Sequence, residues 1–177
     1  MKALILDRDG VINKEIKYLH KIKDLEVFDK IIPVLKKAKE KGYLILIITN
    51  QAGIAKGYYT EEDYYILTNY VDSFFLDKGI KIDKIYFCPH HPQGVVEKYR
   101  IKCRCRKPNT LMLERAMADF PELKLNNSIL IGDKELDIEF GINGGIGRLV
   151  LVRSGHPIDE KNTRAMEIID GLWELQI

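Results

Sequence analysis

The sequence predicts an α/β fold: an open, Rossmann-like parallel sheet with helices on both faces and no separate cap domain. Three observations predict it. Short aliphatic runs lack the polar alternation of a half-wet strand, segments of helical period lie between them, and polar residues follow the runs closely. Ala3-Leu4-Ile5-Leu6 is the first run and ends at Asp7-Arg8-Asp9-Gly10. Ile31, Ile32, Leu35 and Ala38 mark a helical face over Ile31 to Lys41, closed by Gly42. Tyr43 to Thr49 follows as a strand, too uniformly apolar to have a wet face. Thr60 caps a helix with acids in its first turn, running to Asp77 and stopping at Gly79. Ile85-Tyr86-Phe87 is the third strand, and Leu111 to Phe120 is helical. Ile129-Leu130-Ile131 is a strand ending in Gly132-Asp133. A helix from about Glu135 to Ile142 then leads through glycines to Leu149-Val150-Leu151-Val152. We read residues 1–177 as one domain.

In such sheets ligands bind beyond the carboxyl ends of the strands. Asp7, Asp9, Thr49, Asn50 and Asp133 should therefore border one crevice. Residues two apart in an extended chain point the same way, so Asp7 and Asp9 should aim at one place. Two carboxylates forced together need a cation or a shared proton. Together with Asp133 and Asp137 they have no evident charge partners, which suggests a hard cation such as Mg²⁺. Asp-x-Asp-Gly is also turn chemistry, so the segment alone does not decide between the two. A calcium EF-hand fails because Val11 and Ile12 occupy positions that need a ligand and a glycine. No phosphate-binding Gly-x-x-x-x-Gly-Lys-Ser/Thr is present, and the glycines at 141, 144, 145 and 147 follow a helix instead of opening one.

Composition bounds the remaining choices. The chain is 46% hydrophobic and 31% charged, enough for a real core, and its formal net charge of +2 argues against a nucleic-acid binder driven by bulk charge. No segment has the roughly 20 apolar residues of a membrane span. Only four apolar residues separate Lys2 from Asp7, too few for a signal peptide. These readings predict a cytoplasmic protein, taken as a monomer by default.

The three cysteines fall in one short stretch. Cys88-Pro89-His90 and Cys103-Arg104-Cys105 supply three thiolates and one imidazole, a full tetrahedral Zn²⁺ shell with no open position. The ion should be structural, pinning a loop within residues 88–105; His91 is spare. That stretch and the two residues after it carry Lys98, Arg100, Lys102, Arg104, Arg106 and Lys107, a basic set able to receive a second phosphate.

Asp7-Arg8-Asp9-Gly10-Val11, Thr49-Asn50, Lys107, and Gly132-Asp133 followed by Asp137 resemble, in order, the four motifs of the haloacid-dehalogenase-like phosphohydrolases. The resemblance implies Asp7 as nucleophile and Asp9 as general acid/base. It implies Thr49 and Lys107 as partners of the phosphoryl group, and Mg²⁺ on Asp7, the Asp9 carbonyl and Asp133. Asp137 would orient Lys107 or Asp133. The zinc loop, with Cys-Pro-His-His-Pro and Cys-x-Cys-Arg-Lys-Pro, is most similar to the bacterial D,D-heptose 1,7-bisphosphate phosphatases. That family implies hydrolysis of the 7-phosphate of a small sugar bisphosphate, on the way to nucleotide-activated heptose. Contacts to substrate are implied for Glu15, Ile16, Lys17, Tyr18, Thr49, Asn50, Gln51, Ala52, Arg106, Lys107 and Lys134. Lys17 stands where the family has glycine, and Asn109-Thr110-Leu111 replaces a His-Pro-Gly. The anomer of the 1-phosphate stays open. So do a histidinol-phosphate or other small-phosphate substrate and, in another class, a non-catalytic zinc-binding module.

Overall fold

The computed structural model describes all 177 residues. Its strands are β1 Lys2–Leu6, β2 Tyr43–Asn50, β3 Lys84–Cys88, β4 Ile129–Gly132, β5 Arg148–Val152 and β6 Glu167–Ile169. Its α-helices are α1 Ile32–Glu40, α2 Ala52–Ala55, α3 Glu61–Asp77, α4 Leu111–Asp119 and α5 Glu135–Gly144. All strand pairs are parallel, in the order β3-β2-β1-β4-β5-β6. The predicted parallel sheet is the one observed, with one strand more than the five expected. β6 escaped prediction because three residues of mixed polarity, Glu167-Ile168-Ile169, carry no periodic signal.

Alternation along the strands divides the core in two. Leu4, Leu6, Ile45, Ile47, Ile131 and Val150 pack with Leu35 and Ala38 of α1 and Val71 and Phe75 of α3. Ala3, Ile5, Leu46, Ile48, Leu130 and Leu149 pack on the other face, with Met112 and Leu113 of α4 and Ile138 and Phe140 of α5. Each of the larger aliphatic and aromatic side chains, fully buried, contributes about 1.5–3 kcal/mol relative to exposure. This is why the strands read as continuous apolar runs: both faces are covered.

The caps follow from local chemistry. Thr60 Oγ1 accepts from the Asp63 amide at 3.1 Å, and the Asp63 carboxylate accepts from the Thr60 amide at 2.8 Å. Two otherwise unpaired donors at the start of α3 are thereby satisfied. Gly79, at φ +75°, takes the left-handed conformation that ends the helix.

The sheet order places the site. From β1 the chain moves outward to β2 and β3, then returns to β4 on the other side of β1. The carboxyl ends of β1 and β4 thus form the topological switch point, where a crevice opens. Asp7 sits just beyond β1, its amide donating to the Ile131 carbonyl at 3.0 Å, and Asp133 just beyond β4.

Candidate active site

A cavity of about 360 Å³ opens at this switch point. Asp7, Asp9, Thr49, Asn50, Gln51, Ala52 and Lys107 line its floor and one wall, and Glu15, Ile16, Lys17 and Tyr18 the wall from the β1–α1 connection. Arg106 and Lys134 also line it, as do Arg8, Tyr59, Asp137 and His156. Asp133 lies behind, fully buried.

Lys107 is the electrostatic centre. Its ammonium lies 2.6 Å from Asp137 Oδ1 and 3.0 Å from Asp7 Oδ1, and donates to the Ile48 carbonyl at 3.0 Å. Three protons meet three acceptors, and the group is buried. Burial alone would lower its pKa, but Asp137 and Asp7 outweigh burial and raise it. Asp7 Oδ1 also accepts from the Arg8 amide at 2.8 Å, whereas Oδ2 takes part in neither contact. Burial pushes the Asp7 pKa up, Lys107 opposes this, and the neighbouring Asp137 and Asp9 charges add to the rise.

Asp9 has the opposite surroundings. Arg8 Nε and Nη2 fork onto its two oxygens at 3.2 and 2.9 Å, Asn13 Nδ2 donates at 3.0 Å and Gln51 Nε2 at 3.3 Å. Burial would raise its pKa, but Arg8 and the other donors hold it below the usual carboxylate value. Gln51 also donates to Thr49 Oγ1 at 2.9 Å and accepts from the Tyr59 hydroxyl at 2.5 Å.

The structure corrects one expectation. The carboxylates do have charge partners: Lys107 for Asp7 and Asp137, Arg8 for Asp9. Asp7 and Asp9 line the same cavity, each with its own partner. Beyond Leu6 the chain leaves strand geometry, so Arg8 does not turn to the opposite face and instead folds back, buried, against Asp9. Arg8 was missed because strand alternation sent it elsewhere, and Asn13 and Tyr59 because nothing in their sequence neighbourhoods marks them.

The side wall has its own supports. Tyr18, at φ +61°, stacks on Tyr58 with ring centroids 4.1 Å apart, and Lys56 donates to its hydroxyl at 3.0 Å. Glu15 is pushed up to about 7 by burial and by Asp9. Asn50, at the cavity wall, holds the backbone of Lys107, accepting from its amide at 3.0 Å and donating to its carbonyl at 3.3 Å.

Cys88, His90, Cys103 and Cys105 converge as the sequence predicted, their ligand atoms all within 4.8 Å of one another. The three sulfurs are 3.1–3.4 Å apart, and no disulfide joins them. Burial raises the Cys88 thiol's pKa, a charge problem that a cation would resolve. Three sulfurs and one imidazole nitrogen fit tetrahedral zinc. Of the loop's basic residues only Arg106 and Lys107 reach the cavity; Arg104 instead pairs with Glu114 at 2.9 Å.

At the switch point, Asp133 Oδ1 is buried without a hydrogen-bond partner, and ligand oxygens of Asp7, Asp133 and Asp137 lie within 4.8 Å of one another. A bare, buried carboxylate oxygen beside two further carboxylates fits a hard cation.

A family model described as polynucleotide kinase 3 phosphatase matches residues 4–138, and one described as HAD-hydrolase-like matches residues 104–175. The D-glycero-alpha-D-manno-heptose-1,7-bisphosphate 7-phosphatase of Photorhabdus laumondii is 48% identical over 166 residues, covering 94% of this chain and 90% of that one. This chain belongs to the heptose-bisphosphate phosphatase family of haloacid-dehalogenase-like hydrolases. A second member, the D-glycero-beta-D-manno-heptose-1,7-bisphosphate 7-phosphatase of Escherichia coli K12, is 38% identical over 174 residues, 98% of this chain and 91% of that one. The crystal structure of the B. bronchiseptica D,D-heptose 1,7-bisphosphate phosphatase, complexed with magnesium and phosphate, superposes with a TM-score of 0.80. It shares 23% identity over 98% of this chain and 94% of that one, and shows the common fold of the family.

Proposed function

We propose that this protein removes the 7-phosphate of D-glycero-D-manno-heptose 1,7-bisphosphate through a phosphorylated Asp7. The observation that carries the reading is Asp7 at the cavity floor, with Oδ1 held by Lys107 and the Arg8 amide and Oδ2 outside both contacts. A held carboxylate with one oxygen to spare is a positioned nucleophile. The geometry suits in-line attack by Asp7 on the phosphorus, with Lys107 offsetting the repulsion between a carboxylate and a phosphate dianion. Thr49 borders the place the transferring oxygens would take.

Asp9 is set in this structure as a base, the form that takes a proton from water when the aspartyl-phosphate is hydrolysed. Release of the sugar alkoxide needs Asp9 as an acid, hence a looser hold by Arg8. The guanidinium has other acceptors within reach, Gln51 Oε1 at 3.3 Å and the Leu19 carbonyl at 3.4 Å. Asp7, the Asp9 carbonyl and Asp133 would hold Mg²⁺, which when bound supplies positive charge to the phosphoryl oxygens. Zn²⁺ on Cys88, His90, Cys103 and Cys105 would set the loop that brings Arg106 and Lys107 to the cavity, with Arg106 and Lys134 placed for the 1-phosphate.

The α anomer is the expected substrate, because the relative whose name specifies it shares 48% identity and the β-named one 38%. Steady-state kinetics with both anomers, the 1-monophosphate and a 3′-phosphorylated oligonucleotide test the reading. The expected order of kcat/KM is α bisphosphate, β bisphosphate, then the other two. The name of the family model over residues 4–138 gives the oligonucleotide its place in this test. Turnover of it above the bisphosphates would replace the sugar reading with a nucleic-acid one, and inactivity on all four would favour the non-catalytic module.

A further inference from the structure

The segment after β5 folds back over the switch point. Ser154 Oγ donates to the Gly10 carbonyl at 2.6 Å, fastening the segment to the loop that carries Asp7 and Asp9. The next residues enclose one oxygen of Asp133. Oδ2 accepts from the His156 amide at 3.1 Å and lies 2.6 Å from the His156 ring Nδ1. A carboxylate oxygen only accepts, so that ring nitrogen carries the hydrogen. Glycine is required on both sides of the same oxygen: a Cβ on Gly10 would come within 2.5 Å of it, and one on Gly155 within 2.1 Å. The other oxygen, Oδ1, has no partner at all although the residue is fully buried. One oxygen is thus fixed by two donors and close packing, and its twin is left bare.

We infer that His156 is a positioning residue for the Mg²⁺ centre, holding Asp133 by Oδ2 so that Oδ1 alone is presented to the cation. The inference rests on the Mg²⁺-dependent reading of the site. Groups that hydrogen-bond a ligating carboxylate fix its orientation, and removing one typically costs 10–100-fold in metal affinity. A different arrangement uses the same residues, because Glu15, Asp133 and His156 also offer ligand atoms within 4.8 Å of one another. It would make His156 a direct ligand, but His156 Nδ1 already donates to Asp133 Oδ2 at 2.6 Å while Oδ1 is left bare, so the observed geometry favours the outer position.

Mn²⁺ titrated into zinc-loaded protein and followed by electron paramagnetic resonance tests this without turnover. His156→Ala should weaken Mn²⁺ binding by about 10–100-fold, leaving zinc content and metal-free circular dichroism as in the wild type. His156→Asn, whose amide nitrogen takes the place of Nδ1, should recover part of the loss. Wild-type affinity in His156→Ala would overturn the inference. So would a directly coordinated nitrogen in the Mn²⁺ echo spectrum that disappears in His156→Ala. Asp133→Asn separates the two levels: it should abolish binding, and unchanged affinity there would overturn the Mg²⁺ reading itself.

Discussion

The strand-tip crevice and the Cys/His loop reach order by opposite means. In the crevice, Lys107 bridges Asp7 and Asp137 at the strand tips of a sheet packed on both faces, so position comes from burial and hydrogen bonds. Between Pro89 and Arg106 there is a single 3₁₀ turn, Glu97–Tyr99, and no strand or α-helix. The loop gathers four soft ligand atoms instead of a core. Lys107 belongs to both regions: it lies two residues beyond Cys105, yet its ammonium is the hub of the crevice. Asn50 ties them together, holding the Lys107 backbone from the end of β2, where Asn50 pairs with Cys88 of β3. The end of the Cys/His loop therefore supplies a crevice charge.

The largest expected effect breaks the chemistry and leaves the loop alone. Asp7→Asn should lower kcat by at least about 10⁴-fold, as loss of a nucleophile does, with zinc content and circular dichroism unchanged. Turnover within tenfold of wild type would take Asp7 out of the reaction. The intermediate effect runs the other way. Stripping zinc with a chelator should leave the sheet intact and lower kcat by about 100-fold, because ångström-scale displacement of a positioned group costs that much. Asn50→Ala in the zinc-loaded protein should give a smaller fall in kcat. Full activity after verified zinc removal would show that the crevice holds Lys107 unaided.

The smallest effect reads the cavity's electrostatics. Glu15 binds its proton up to about 7 in the folded protein, against an ordinary value of 4.5. Its contribution to stability is therefore full below 4.5 and lost as pH rises through 7. Without added Mg²⁺, Glu15→Gln should flatten that part of the pH dependence of denaturant unfolding. An identical slope in the two proteins would mean that burial and Asp9 do not bind the proton.

Much of this was legible because it is local. Uniform aliphatic runs show that both faces of the strands are covered, Thr60 and Asp63 mark the start of α3, and the spacing of Cys88, His90, Cys103 and Cys105 announces a metal shell. What was misread depends on geometry that local pattern does not carry. Strand alternation fails one residue after Leu6, so Arg8 reaches Asp9 instead of the opposite face. β6 is too short to show a period.

The sequence by itself determined the chemical inventory: a nucleophile candidate, its neighbouring carboxylate, a basic residue beside a soft-ligand cluster, and the order of strands that brings them to one edge. Only the tertiary structure decided which partner each charge meets. Asp7 meets Lys107, Asp9 meets Arg8, and Asp133 meets His156, three contacts spanning one hundred residues, one residue and twenty-three. The reason is physical. A buried carboxylate's properties are set by the few atoms within hydrogen-bonding distance, and those arrive from wherever the packed chain returns.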